Sequence, residues 1–165
     1  MEKFCANNQI NYRKIEFIHS ARASFVNFSF SIMQVLNSIL PIEKNHISET
    51  IDELSKIQKQ IYSQNLSDSN PAIDLANFVS GIPLIYYPHG LQSAATRFKS
   101  SIQENAKKHA IIEDVVEACH NGIVAWEKSS IIQPILLRGY DDYIKTKERF
   151  EIIKEYFAKN NIEYK

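Results

Sequence analysis

Residues 82–87 read IPLIYY. Six apolar positions in a row, with no polar residue at alternate places, mark a strand covered on both faces, as in a parallel sheet packed between helices. Residues 131–137, IIQPILL, read the same way, with Pro134 arguing for a sheet edge or a strand start. A shorter strand is expected at 110–112. Between the first two strands Pro88-His89-Gly90 turns the chain, and 91–107 is expected to be helical with Leu91, Ala95, Phe98, Ile102 and Ala106 on one side. Residues 141–159 predict a closing helix with Tyr143, Phe150, Ile153 and Phe157 inward. Strands that lack a polar face and alternate with helices define an α/β layer around a parallel sheet.

Upstream the pattern changes. RKIEFIHS at 13–20 has a short apolar core and predicts a strand. Residues 22–40 are apolar nearly all round and predict a buried helix that stops at Pro41. Residues 48–64 predict an amphipathic helix. Ser48 is its expected N-cap, Glu49, Asp52 and Glu53 complement its dipole, and Ile47, Ile51, Leu54 and Ile61 recur at helical spacing. The polar loop NLSDSN at 65–70 reads as a boundary. Pro71 then opens a short helix, PAIDLANFVS, that Gly81 is expected to end.

At 165 residues one domain is the default, with enough chain for a real core. Lys plus Arg and Asp plus Glu number 19 each, so no basic excess points to nucleic acid or to an anionic membrane surface. No run approaches the roughly 18 apolar residues of a membrane span, and MEKFCANNQI lacks a signal-peptide core. The expected location is the cytoplasm. Cys5 and Cys119 have neither metal spacing nor a secreted-framework pattern. The histidines are scattered, glycine-rich phosphate loops and serine nucleophile elbows are absent, and no metal or organic cofactor is expected.

The chemistry-bearing stretch is 98–127, FKSSIQENAKKHAIIEDVVEACHNGIVAWE. It holds Glu104 and, sixteen positions on, His120, the two side-chain types best suited to moving protons near neutral pH. Each has side-chain amides beside it, Gln103 and Asn105 for the first, Asn121 for the second. The plainer alternatives are a helix carboxylate paired with Lys108 at i+4 and a loop histidine satisfied by backbone. Arg22 opens the first long helix, where the dipole disfavours a cation. It is either solvated or aimed at an anionic group. Trp126 reads as a core anchor rather than a binding platform.

Four passages, in order, resemble the bifunctional phosphoglucose/phosphomannose isomerase family of the sugar isomerase (SIS) superfamily. They are SARASF at 20–25; Asn70-Pro71-Ala72 with Leu75-Ala76; the strand and helix of 82–99; and Glu104-Asn105-Ala106-Lys107 followed by His120-Asn121-x-Ile123-Val124-x-Trp126-Glu127. The resemblance implies a three-layer SIS-like, flavodoxin-like parallel sheet flanked by helices, with an N-terminal helical extension. It makes 1–68 the end of a first SIS subdomain plus connecting helices, and 69–165 a second, truncated SIS subdomain. It implies Glu104 as the base that shuttles a proton between C1 and C2 of a hexose phosphate through a cis-enediol. His120, supplied across a dimer interface, would assist ring opening, and Arg22 would stabilise the enediolate. Arg22 and Asn121 would contact the phosphorylated sugar, and the partner would be a second copy or a complementing SIS half. The family is about twice as long; its serine- and threonine-rich phosphate loop and its late active-site lysine have no counterpart here. Locally, Ala21, Tyr87, Phe98, Gln103 and Gly122 depart from its pattern, Gly122 standing where the family has glutamate. A non-catalytic sugar-phosphate-binding or assembly module is therefore the competing expectation.

Overall fold

The computed structural model describes residues 1–20, 23–67 and 69–165. The chain divides into two compact units, Met1–Lys59 and Gln60–Lys165.

The first unit is helical: α1 (Glu2–Asn7), α2 (Phe25–Leu36) and α3 (Lys44–Ile61), the last running on into the second unit. The strand expected at 13–20 does not form. A strand needs a neighbour to take its backbone groups, and here side chains take them instead. Ser24 Oγ accepts from the Ile18 N–H and donates to the Ile18 carbonyl, both at 3.0 Å, and Asn27 Nδ2 donates to the Glu16 carbonyl at 2.8 Å. The apolar helix is shorter than expected and it is not buried. Cys5 and Ser24 are the buried residues among those described in this unit, while Phe25, Val26, Ile32 and Val35 are exposed along α2. Helix α3 begins a turn before Ser48, whose hydroxyl bonds back to the Lys44 carbonyl at 3.3 Å inside the helix and so is no cap.

The second unit holds α4 (Pro71–Phe78), β1 (Ile82–Tyr87), α5 (Gln92–Ser101), β2 (Ile111–Asp114), α6 (Val115–His120), β3 (Ile132–Leu136) and α7 (Ile144–Lys159). A π-helical turn at Ile102–Ala106 continues α5, and a 3-10 turn at Gly122–Glu127 follows α6. Asn70 caps α4 through Oδ1 on the Ala72 N–H, with Pro71 next in line. Gly81 is not the helix's C-cap. A Cβ at Gly81 would collide with the Ile131 carbonyl, the same carbonyl that accepts from Ile82 N–H at 2.9 Å. Glycine stands there so that two backbones can approach as the strands begin.

The three strands are parallel in the order β2–β1–β3. β1 is central and buried after its first residue, as its unbroken apolar run predicts. Pro134 lies on the edge strand β3, and Pro83 precedes the first residue of β1 that pairs with β2. Beyond β3, Lys165 takes the outer edge through its own backbone, receiving from Leu136 N–H at 2.6 Å and donating to the Pro134 carbonyl at 3.2 Å.

Alternation along β1 sorts the core into two layers. Leu84 and Tyr86 face Val115, Ala118, Phe150, Ile153 and Phe157, that is, α6 and α7. Ile85 and Tyr87 face Ala95, Phe98 and Ile102 of α5 and its continuation, with Leu75 and Phe78 of α4. Tyr143, expected inward, is 71% exposed because it precedes the first turn of α7 instead of lying within it. The division follows from chain direction. The crossover β1–α5–β2 moves one way across the sheet and β2–α6–β3 moves back past β1; right-handed connections then place α5 and α6 on opposite faces.

Candidate functional site

Glu104 sits in the π-helical turn at the end of α5, on the Ile85 and Tyr87 side of the sheet. Single π turns inside helices are rare and recur at functional positions. The turn closes at Lys107, whose backbone is left-handed at φ 56° and whose Nζ donates to the Glu104 carbonyl at 2.7 Å. Lys108 does not serve as the i+4 partner of Glu104. Its ammonium instead bonds the Val79 carbonyl at 3.0 Å and the Ser80 carbonyl at 3.5 Å, just past the end of α4. Glu104 is exposed and engaged in a polar contact of its own.

His120 is the last residue of α6, on the other side of the sheet. The helix is only six residues long, and its ends are held by side chains. Asp114 Oδ1 accepts from the Val116 N–H at 2.8 Å and the Glu117 N–H at 3.4 Å. Glu117 Oε1 accepts from Asn121 Nδ2 at 2.9 Å. The His120 imidazole is exposed and makes no hydrogen bond among the described residues. Its freedom to meet an incoming group contrasts with Asn121, whose amide is already turned back on α6.

The 3-10 turn after Asn121 is pinned by Trp126. Its indole donates to the Tyr86 hydroxyl at 2.9 Å and packs edge-on to Phe157 at 5.2 Å between centroids, the core-anchor role expected of it. Burial pushes the Tyr86 phenol up to about 12. Cys119, half-buried, is likewise pushed up by burial, against the pull of Arg149. A raised thiol is the less ready nucleophile. Glu113, beside Tyr86 in the sheet register, is raised by burial and then by the charge of Glu117.

Glu104 follows α5 and His120 ends α6, so the two lie on opposite faces of the sheet. The carboxyl ends of the strands carry His89 after β1, Asp114 as the last residue of β2, and Arg138, braced by Asp142, after β3. Sequence reasoning missed α6 and with it Glu113, Asp114 and Glu117. The signal was present as Asp114-x-x-Glu117, an N-cap followed by an acidic third position. Arg22 lies outside the described residues. Among the described residues no group of three or more His, Cys, Asp or Glu could hold a metal ion, and no helix is long and apolar enough to cross a membrane.

A model of the bacterial phospho-glucose isomerase C-terminal SIS domain matches residues 68–165. The chain belongs to that family. No curated protein and no solved structure matches it. The three-stranded parallel sheet with helices on both faces is the α/β SIS-like architecture, and the chain carries a sugar-phosphate isomerase-related domain. Within this SIS domain lie Glu104, His120 and Asn121, while Arg22 falls before the matched residues.

Proposed function

We propose that this SIS domain contributes to an aldose–ketose isomerase acting on glucose 6-phosphate and fructose 6-phosphate, with mannose 6-phosphate as a second aldose. The observation that carries the reading is the family match over 68–165, which takes in both proton-handling residues, Glu104 and His120. In this reading Glu104 removes the C2 proton of the open-chain aldose, leaving a cis-enediolate. The proton returns to C1 while the C2 hydroxyl passes its own proton to O1, leaving C2 as the ketone. His120 helps open the sugar ring by moving a proton to the ring oxygen, and Asn121 contacts the sugar. Arg22, which enters from the sequence resemblance alone, offsets the enediolate charge. The opposite-face placement of Glu104 and His120 supports a site that pairs Glu104 of one copy with His120 of another.

The test is a coupled assay that reads glucose 6-phosphate formed from fructose 6-phosphate, on the purified chain alone and with a complementing SIS half. Turnover that Glu104→Gln lowers by about 10²–10⁴-fold supports the assignment. Folded protein with no turnover in either condition contradicts it. The second reading, a non-catalytic module that assembles with a partner, draws on the exposed apolar residues of α2 and α3. They flank an open groove of about 540 Å³ lined by Val26, Phe30, Ile47, Ile51 and Leu54. Calorimetry with a phosphorylated sugar acid separates sugar-phosphate binding from pure assembly.

A further inference from the structure

Gly122 begins the 3-10 turn directly after His120 and Asn121. Its backbone does not need glycine, because Gly90 is the glycine with positive φ. What stands against position 122 is the far end of one side chain, that of Glu113. A Cβ at position 122 would stand 2.8 Å and 3.0 Å from the two carboxylate oxygens of Glu113. Glu113 comes from β2, beside Tyr86 in the register and one residue before Asp114, the cap of α6. It is half-buried, and no hydrogen bond or ion pair of the described residues ends on its carboxylate.

We propose that Glu113 is a positioning residue: its carboxylate fills the space glycine leaves at 122 and thereby fixes the turn that presents His120 and Asn121. The assignment rests on the reading of His120 as a site residue, while its structural half stands on the Glu113–Gly122 contact. Gly122 follows Asn121, so the carboxylate lies against the start of the turn. The titratable neighbours of this carboxylate are Glu117 and Cys119 from α6 and the Tyr86 phenol from β1, with Arg149 of α7 acting on Cys119. Burial and the charge of Glu117 raise its protonation range, so its charge changes nearer neutral pH than that of a surface glutamate.

Heteronuclear NMR on the full chain tests this. The backbone amides of Asn121, Gly122 and Ile123, with the His120 ring signals, are followed from about pH 4 to pH 8, a span that covers carboxylate and imidazole titration. The expected result is a step shared by these backbone amides, raised relative to an ordinary glutamate and lost in Glu113→Gln with the fold intact. Gly122→Ala is expected to displace the His120 ring signals in the wild-type background and to displace them much less in Glu113→Ala. Amides that titrate identically in Glu113→Gln, or a Gly122→Ala effect equal in both backgrounds, overturn the proposal. The isomerase reading is judged separately. Where turnover is measured, Glu113→Gln removes the matching inflection from the pH profile of kcat/KM. Absence of turnover with the NMR step present counts against the isomerase and supports the positioning role.

Discussion

Replacing Trp126 by phenylalanine removes one hydrogen-bond donor from beneath the turn that follows His120. Tyr86 is 2% exposed, and its hydroxyl receives the indole N–H at 2.9 Å. Without that donor a buried hydroxyl loses its partner, at a cost of about 1–3 kcal/mol. The smaller ring keeps part of the edge-on contact with Phe157 but leaves unfilled volume, adding about 1 kcal/mol. The expected total is about 2–4 kcal/mol, or a fall in Tm of roughly 4–16 °C for a chain of this size. Tyr86→Phe is expected to cost less, about 1 kcal/mol, because the half-buried indole N–H it abandons can reach water. Urea denaturation of both single variants and the double variant, followed by far-UV circular dichroism, measures the coupling. The pair predicts a coupling energy of about 0.5–1.5 kcal/mol. Strictly additive variants would refute the claim that this bond ties the turn to the central strand.

Three further outcomes follow from the same geometry. The Tyr86 phenol is held protonated in the fold, to about 12 against 10.0 for an ordinary tyrosine. Its contribution is therefore fully present below pH 10 and lost as pH rises through about 12; an alkaline denaturation series should show that loss diminished in Tyr86→Phe. Asp114→Ala removes the cap of the six-residue α6 and should cost about 1 kcal/mol, with amide exchange accelerated from Val115 to His120. Gly81→Ala forces a methyl onto the Ile131 carbonyl, and thermal melts should show a loss of about 1–3 kcal/mol or more as the start of β1 shifts.

How far the sequence reached can be seen element by element. The run IPLIYY marked both ends of β1 correctly because a strand buried on both faces needs apolar residues throughout. β2 was displaced, since its last residues, Glu113 and Asp114, look like loop and are strand only because β1 pairs with them. The segment 13–20 failed in the opposite direction. Its residue types suit a strand, yet no neighbour is there to pair with it, and Ser24 and Asn27 satisfy its backbone. Helix α2 carried the composition of a buried helix on an exposed surface, because local pattern records what a face prefers to meet and not what meets it. Glu104 and His120 were legible as residue types. Their separation by the thickness of the sheet was not, because it depends on strand order. Glu113 was invisible as a partner of Gly122, since that contact joins a strand to a turn nine residues later.

The central claim is that Glu104 and His120 act together across two copies of the chain. Mixing two inactive variants, Glu104→Gln and His120→Asn, tests it most directly in the coupled assay, under the conditions in which the wild-type chain turns over. A random mixture makes half its pairs mixed, and each mixed pair holds one intact site, so activity should return to about one quarter of the wild-type rate. A mixture that stays as inactive as its components, while the wild type turns over, would contradict the account.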